Sequence, residues 1–295
     1  MNLWKRARRE LRVRALLASL PLLRVLPVEV GAFLGTLAWY LSPRQRRLAR
    51  EHLAIAFPEK TAEERDRIGR RSFANLGRSA LETARGDARC VQLFPEDEKL
   101  LRDAQQEGKG VVLVSGHIGS WELFARRIAA LGLPSGTVAK EAQDPRLTRL
   151  LQEARSGAGV RVFWRGSAMA AREMLRFLKS GGMLGVLIDQ DTKVGGHFVP
   201  FFGRPAFTPR AAGDLAARTG AAMVFGCAHR MGPGLHRIVV RRIAPPLSGD
   251  REQDSLAFTA EATRIIESEI RAHPEEWVWM HPRWRTKSSE ITREK

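Results

Sequence analysis

Cysteine is nearly absent from this chain: Cys90 and Cys227 are the only two in 295 residues. Their separation argues against a disulfide framework, a zinc ribbon, a redox pair or a structural Cys site, and the composition suits a reducing compartment. Aromatic residues reach only 7%, with a single Tyr, so a surface that stacks nucleic-acid bases would have few platforms. A long unbroken apolar run is also missing. Residues 15–41 are largely apolar but carry Pro21, Arg24, Pro27 and Glu29, and the longest uncharged stretch, 30–43, falls short of the roughly 20 residues that span a bilayer. These interruptions, with no small-x-small cleavage site, argue against a secretory signal. Acidic side chains are scarce beside basic ones, 32 against 49, for a net charge of +17. That excess calls for nucleic acid, an anionic membrane, an acidic protein or a phosphorylated substrate as partner.

What is present supports a folded molecule, since 44% of the residues are hydrophobic, enough for a core in one large domain or two small ones. The chain opens on a basic arm, Lys5, Arg6, Arg8, Arg9, Arg12 and Arg14 against the single acid Glu10. Next to the interrupted apolar stretch, this arm predicts a membrane-associating segment over residues 1–42. It would lie in or tilt through the interface, with its basic residues toward anionic lipid on the cytoplasmic side; the other reading is a helical hairpin broken at the prolines and buried in the protein. The rest of the chain, 43–295, is expected to form the main domain.

Beyond Pro43 the pattern becomes amphipathic, with helices expected over 44–56 and over 62–85, the second opened by a Thr61 and Glu64 capping box. From Gly110 onward short β-branched runs alternate with helical periodicity. Strands are expected over 110–115, 137–139, 160–164, 183–188, 222–228 and 235–240; helices are expected over 121–131, 145–154, 168–179, 209–218 and 255–272. The predicted fold is α/β: a helical N-terminal membrane-anchoring part, then an α/β sandwich around a mixed, largely parallel sheet.

In such a sheet, ligands gather at the carboxyl ends of strands, and there the sequence reads Ser115-Gly-His117-Ile-Gly-Ser-Trp-Glu122. Residues five apart on one helix diverge by about 140°, so pairing His117 with Glu122 needs a bend, which Gly116, Gly119 and Ser120 can supply. With the helix starting near Ser120, the Glu122 carboxylate would turn back to orient the imidazole for general-base work. Neither Ser115 nor Ser120 lies in a G-x-S-x-G elbow, which disfavours covalent catalysis. No HExxH spacing supports zinc at this pair. Asp189 and Asp191, two apart at a strand end, share one face; with no third acid beside them, Asp189 is read as a structural or acceptor-positioning residue. The aromatic run from Phe198 to Phe202, with Phe207, is a candidate acyl channel or plain core. Trp277, Trp279 and Trp284, interleaved with Arg283, Arg285 and Lys287, fit a membrane interface or a Trp-rich core plug.

The string from Gly110 to Leu131 resembles the His-x4-acid block of the lysophospholipid acyltransferase superfamily. Further strings narrow the likeness to the lipid A biosynthesis acyltransferases, the lauroyl and myristoyl transferase family: Ala56-Phe-Pro-Glu59 with Asn75-Leu-Gly77 and Glu82, Leu187-Ile-Asp-Gln-Asp191, Phe198-Val-Pro-Phe-Phe-Gly203, Ala216 to Ala221, and Pro274 to Trp284. The resemblance covers about residues 10–287. It implies a cofactor-free and metal-free O-acyltransferase at the cytoplasmic face of the cell inner membrane, with acyl-acyl carrier protein as donor and a hydroxyl of an anionic glycolipid, a lipid A precursor, as acceptor. On this reading 43–295 is the acyltransferase domain, His117 and Glu122 form the catalytic dyad, and no covalent intermediate arises. Arg155 matches an arginine that the family places near the catalytic pocket, with Arg165 a similar candidate. Lys140 stands where relatives often carry an aromatic-Arg pair, which keeps the charge without the bidentate fork. Arg155, Arg165, Lys140 and Asp189 are thus the expected substrate-binding residues. Two alternatives stand beside this one: transfer to another polar lipid, a glycerolipid or a mannosylated phosphoinositide, and a basic nucleic-acid-binding protein. The latter rests on charge and the Trp-basic tail with no recognition motif, and nucleic acid is not the expected partner.

Overall fold

The computed structural model describes residues 3–166 and 168–287, except the side chains of 3–8 and 168. Lys5, Arg6 and Arg8 of the basic arm therefore lie outside the described side chains. Four helices come first: α1 (Leu3–Val25), α2 (Val28–Leu41), α3 (Pro43–Ala56) and α4 (Ala62–Arg85). Pro21 is accommodated inside α1, and the chain breaks at Pro27. The expected capping box opens α4: the Thr61 hydroxyl accepts from Glu64 N while the Glu64 carboxylate accepts from Thr61 N. Gly31 and Gly35 of α2 lie against Gly77 and the Phe73 carbonyl of α4, where any Cβ would collide with backbone. Among the described residues no helix is long and apolar enough to cross a membrane.

The α/β part follows: β1 (Val91–Gln92), α5 (Pro95–Gln106), β2 (Val111–Ser115), α6 (Trp121–Ala129), β3 (Ser135–Ala139), α7 (Pro145–Ser156), β4 (Val160–Trp164), α8 (Ala168–Lys179), β5 (Met183–Leu187), β6 (Gly196–Phe201), β7 (Arg204–Pro209), α9 (Ala211–Thr219), β8 (Ala222–Gly232), β9 (Leu235–Ile243) and α10 (Arg251–Ala272). Seven strands form one sheet in the order β1-β9-β8-β2-β5-β3-β4, parallel throughout except for the β8–β9 hairpin. The mixed, largely parallel sheet is thus the one expected. Every residue of β2 is buried, as a strand covered on both faces requires.

The sequence pattern did not anticipate β1, α5 or the separate antiparallel hairpin β6–β7. That hairpin carries the Phe198–Phe202 run, and of its aromatics Phe201, Phe202 and Phe207 are buried while Phe198 is half-buried. Phe201 and Phe202 are buried and meet Trp277, Trp279 and Phe57, while Phe198 packs on Phe207. The closing block is core as well: Trp277 and Trp279 are 2% and 0% exposed, and Arg283 is fully buried, donating to Phe207 O and the Thr208 hydroxyl. Its tryptophans therefore do not form an interfacial belt. Buried indoles of this size contribute heavily to a core when each N–H finds a partner, as Trp279 Nε1 does at Pro274 O.

Candidate active site

β2 and β5 are parallel neighbours with Ser115 paired to Leu187. Two residues beyond each partner stand His117 and Asp189, so strand pairing alone delivers an imidazole and a carboxylate 72 positions apart to the same sheet end. His117 Nδ1–H donates to Asp189 Oδ1 at 2.8 Å, and the His117 backbone N–H donates to Oδ2 at 2.7 Å. Trp277 Nε1–H adds a third bond to Oδ2 at 2.8 Å. The loop is held in place behind: Gly119, at φ 57°, donates its N–H to Glu276 O, and Ser120 N donates to Ala228 O.

Asp189 is 2% exposed. Burial alone would raise its pKa, but the neighbouring imidazole and the bonds from His117 and Trp277 bring it down to about 2, as expected for a carboxylate accepting several N–H bonds. Burial also opposes the charged form of His117, yet the Asp189 charge and hydrogen bond, with a further contribution from the Glu122 charge, raise its pKa above the ordinary value of 6.5. With Nδ1 committed, Nε2 is the ring atom left for chemistry. The side chain is 21% exposed, its edge set against Trp121 with centroids 5.1 Å apart.

Among the described contacts, no hydrogen bond joins Glu122 to this ring. Glu122 sits in the first turn of α6 and takes a bidentate ion pair from Arg155 of α7, with Nε to Oε2 at 3.1 Å and Nη2 to Oε1. Both side chains are 16% exposed. The physical reason is the bend itself: Gly119 directs α6 away from the end of β2, so the α6 carboxylate faces α7 while Asp189 fills the space behind the imidazole. Asp189, expected among substrate-binding groups, stands behind His117 and away from the cleft. Asp191 is held elsewhere, by Arg285, Thr286 N and the Thr286 hydroxyl, so the two aspartates do not share one site.

His117 lines a cleft of about 490 Å³ whose walls include Lys140, Arg155, Arg165 and Arg210. The three expected basic residues therefore meet the imidazole in one cavity. Arg165 reaches the Thr192 hydroxyl at 3.4 Å. Trp121 and Arg155 also border a second cavity, between α6 and the sheet, lined mainly by apolar or small residues such as Phe124, Ile128, Gly136, Met183 and Gly185. The sequence reading missed Trp277 as a donor to Asp189, Trp121 beside the ring, and Arg210 in the cleft. The PEEWVW string carried the signal for Trp277, but only the fold brings it to the end of β5.

An imidazole backed by a buried carboxylate thus stands at the sheet's carboxyl end and opens on a cationic cleft, and among the described residues no Ser or Cys side chain bonds the ring. The family model described as bacterial lipid A biosynthesis acyltransferase matches residues 5–286. The chain belongs to that family and is an acyltransferase. It is 30% identical over 278 residues to the lipid A biosynthesis palmitoleoyltransferase of Escherichia coli K12, covering 89% of this chain and 87% of that one. The lauroyltransferase of the same organism is 26% identical over 270 residues, covering 88% and 85%. The phosphatidylinositol mannoside acyltransferase of Mycolicibacterium smegmatis is 26% identical over 242 residues, covering 80% and 78%.

Proposed function

We propose that this acyltransferase moves a fatty acyl chain from an acyl carrier protein thioester to a hydroxyl of a lipid A precursor at the cytoplasmic face of the inner membrane. His117 is the general base and Asp189 is the carboxylate that positions it. The observation that carries this reading is the His117 ring, tied at Nδ1 to Asp189 and lining the cleft that holds Lys140, Arg155 and Arg165. His117 Nε2 takes the acceptor hydroxyl proton as the oxygen attacks the thioester carbonyl. The tetrahedral oxyanion then collapses with cleavage of the C–S bond, and the leaving sulfur receives the proton from Nε2. Asp189 holds the tautomer and balances the imidazolium formed between these steps. Glu122 acts at one remove, holding Arg155 at the cleft wall. The basic walls attract an acidic carrier protein and a phosphorylated acceptor alike.

In the same reading the acyl chain runs from the cleft toward the apolar cavity under α6, whose free volume of about 70 Å³ must widen to take it. Gly185 leaves room on the sheet face of that cavity, and a Cβ there would meet its neighbours at ordinary contact distance, 3.4 Å and beyond. The Gly185→Ala variant should therefore fold and prefer shorter acyl donors. Membrane docking is assigned to α1 and α2, where Leu22, Val25, Phe33, Tyr40 and Leu41 are exposed beside the basic Arg9, Arg12 and Arg24. The Glu10–Arg146 ion pair fastens α1 to the start of α7, the helix whose far end carries Arg155.

The test is thiol release from acyl-acyl carrier protein with and without a lipid A precursor in detergent, with the product identified by mass spectrometry. Acceptor-dependent release that adds one acyl chain and is lost in His117→Ala is expected. Folded protein with a competent donor that leaves this precursor unacylated, yet acylates a phosphatidylinositol mannoside, would replace the acceptor in this reading.

A further inference from the structure

Away from the cleft, β8 and the end of α10 enclose a second polar cluster. Cys227 and His229, two apart on a strand, point to one face. Opposite them stand Glu269 of α10, His273 at its C-cap and Glu276 just beyond. His229 Nε2 lies 3.2 Å from Cys227 Sγ and 2.9 Å from Glu269 Oε2, and Nδ1 lies 3.1 Å from Glu276 Oε2. The second Glu276 oxygen accepts from Arg230 N, and the second Glu269 oxygen accepts from Arg241. The His273 ring is stacked 4.1 Å from that of His229. Cys227, His229 and Glu269 are all buried, with one ligand atom from each lying within 4.8 Å of the others. Acyl transfer through His117 uses none of them.

We infer that Cys227, His229 and Glu269 form a binding site for a divalent transition ion of the zinc class, outside the catalytic cleft. A thiolate, an imidazole and a carboxylate are the donor types that such an ion takes. Glu276 supplies what a ligating histidine usually has behind it, a carboxylate on the other ring nitrogen that fixes the Nδ1–H tautomer and turns the Nε2 lone pair to the metal. From ordinary zinc bond lengths, tetrahedral ligands stand about 3.6 Å apart for N and S and about 3.3 Å for N and O. The present separations would therefore need to widen by about 0.4 Å, and water would complete the coordination.

Charge balance favours the exchange. The ion displaces two protons, one from the Cys227 thiol and one from His229 Nε2, so a dication replaces two unit charges and the net charge of the buried cluster is unchanged. Those protons are the competing occupants. Burial works against a charged His229, but its bonds to Cys227, Glu269 and Glu276 raise it to about 12, and burial raises the Cys227 thiol. Arg241 and Arg230 stay paired with carboxylates of the cluster or its neighbour Glu82. Affinity must rise with pH, approaching about a hundredfold per pH unit while both protons are bound.

The experiment uses the full chain without a polyhistidine tag, cobalt(II) and zinc as probes, and readouts independent of acyl transfer. One equivalent of cobalt should give a thiolate-to-cobalt charge-transfer band, and zinc should raise the melting temperature. Both responses should persist in Cys90→Ala and vanish in Cys227→Ala, with zinc affinity down at least a hundredfold. Should Cys227→Ala fail to fold, Cys227→Ser, which keeps the size of the side chain, must likewise lose the charge-transfer band. A pH-independent affinity, a band that survives Cys227→Ala, or no band and no thermal shift would overturn the site and leave His229 as an imidazolium between two carboxylates.

Discussion

His117 and His229 are both tied to acidic side chains, and they differ in what is left over. His117 gives one ring nitrogen to Asp189 and keeps the other toward a cleft. His229 has both nitrogens engaged, with Glu276 on one and Glu269 and Cys227 on the other, inside the core. In both, burial disfavours the imidazolium and neighbouring acids restore it; the net pKa is raised in each, to about 12 for His229. A carboxylate partner is therefore no mark of catalysis. A base needs a free nitrogen and space for substrate, and only His117 of this pair has both.

The largest expected effect is on transfer in His117→Ala. General-base removal should cost about a thousandfold, measured as acceptor-dependent thiol release with secondary structure retained. On the other side of the comparison, His229→Asn should leave Glu269 and Glu276 short of their cation. A loss of about 3 kcal/mol in unfolding free energy is expected, read from denaturant curves. Asp189→Asn keeps the size of the partner but removes its charge. It should lower transfer about a hundredfold and move the acid limb of the pH–rate profile downward, because the charge and bond that raise His117 are gone. The sign follows from the base being active when neutral: in the wild type, transfer rises with pH through a midpoint above 6.5. Glu122→Gln is the mildest, since it loosens Arg155 without touching the ring. About a tenfold loss is expected, with the midpoint moved less than in Asp189→Asn.

His117 was legible because a β-branched strand followed by Gly-His places a polar side chain at a strand end, whereas Lys140, Arg155 and Arg165, which line the cleft, were suggested by the family resemblance. The partner of His117 was not. Sequence spacing offered Glu122 five positions away, whereas Asp189 becomes adjacent only through the β2–β5 pairing. Prolines 200, 205 and 209 concealed the β6–β7 hairpin, since proline reads as a strand breaker away from sheet edges. The charge-rich α5 offers too thin an apolar stripe, Leu101 and Ala104, to declare itself. Counting cysteines hid the Cys227 cluster, because Cys227 and His229 of β8 meet Glu269 and Glu276 only where α10 and the turn after it pack on that strand. The tryptophans of the closing block read equally as interface or core until the fold buried them.

In the proposed mechanism Asp189, and not Glu122, governs the imidazole. The direct measurement is the pH–rate profile of acceptor-dependent transfer for the wild type, Asp189→Asn and Glu122→Gln under one set of conditions. A marked downward shift of the acid limb in Asp189→Asn, with a smaller one in Glu122→Gln, is the predicted result. An unmoved limb in Asp189→Asn together with a large shift in Glu122→Gln would contradict it and return the orienting role to Glu122.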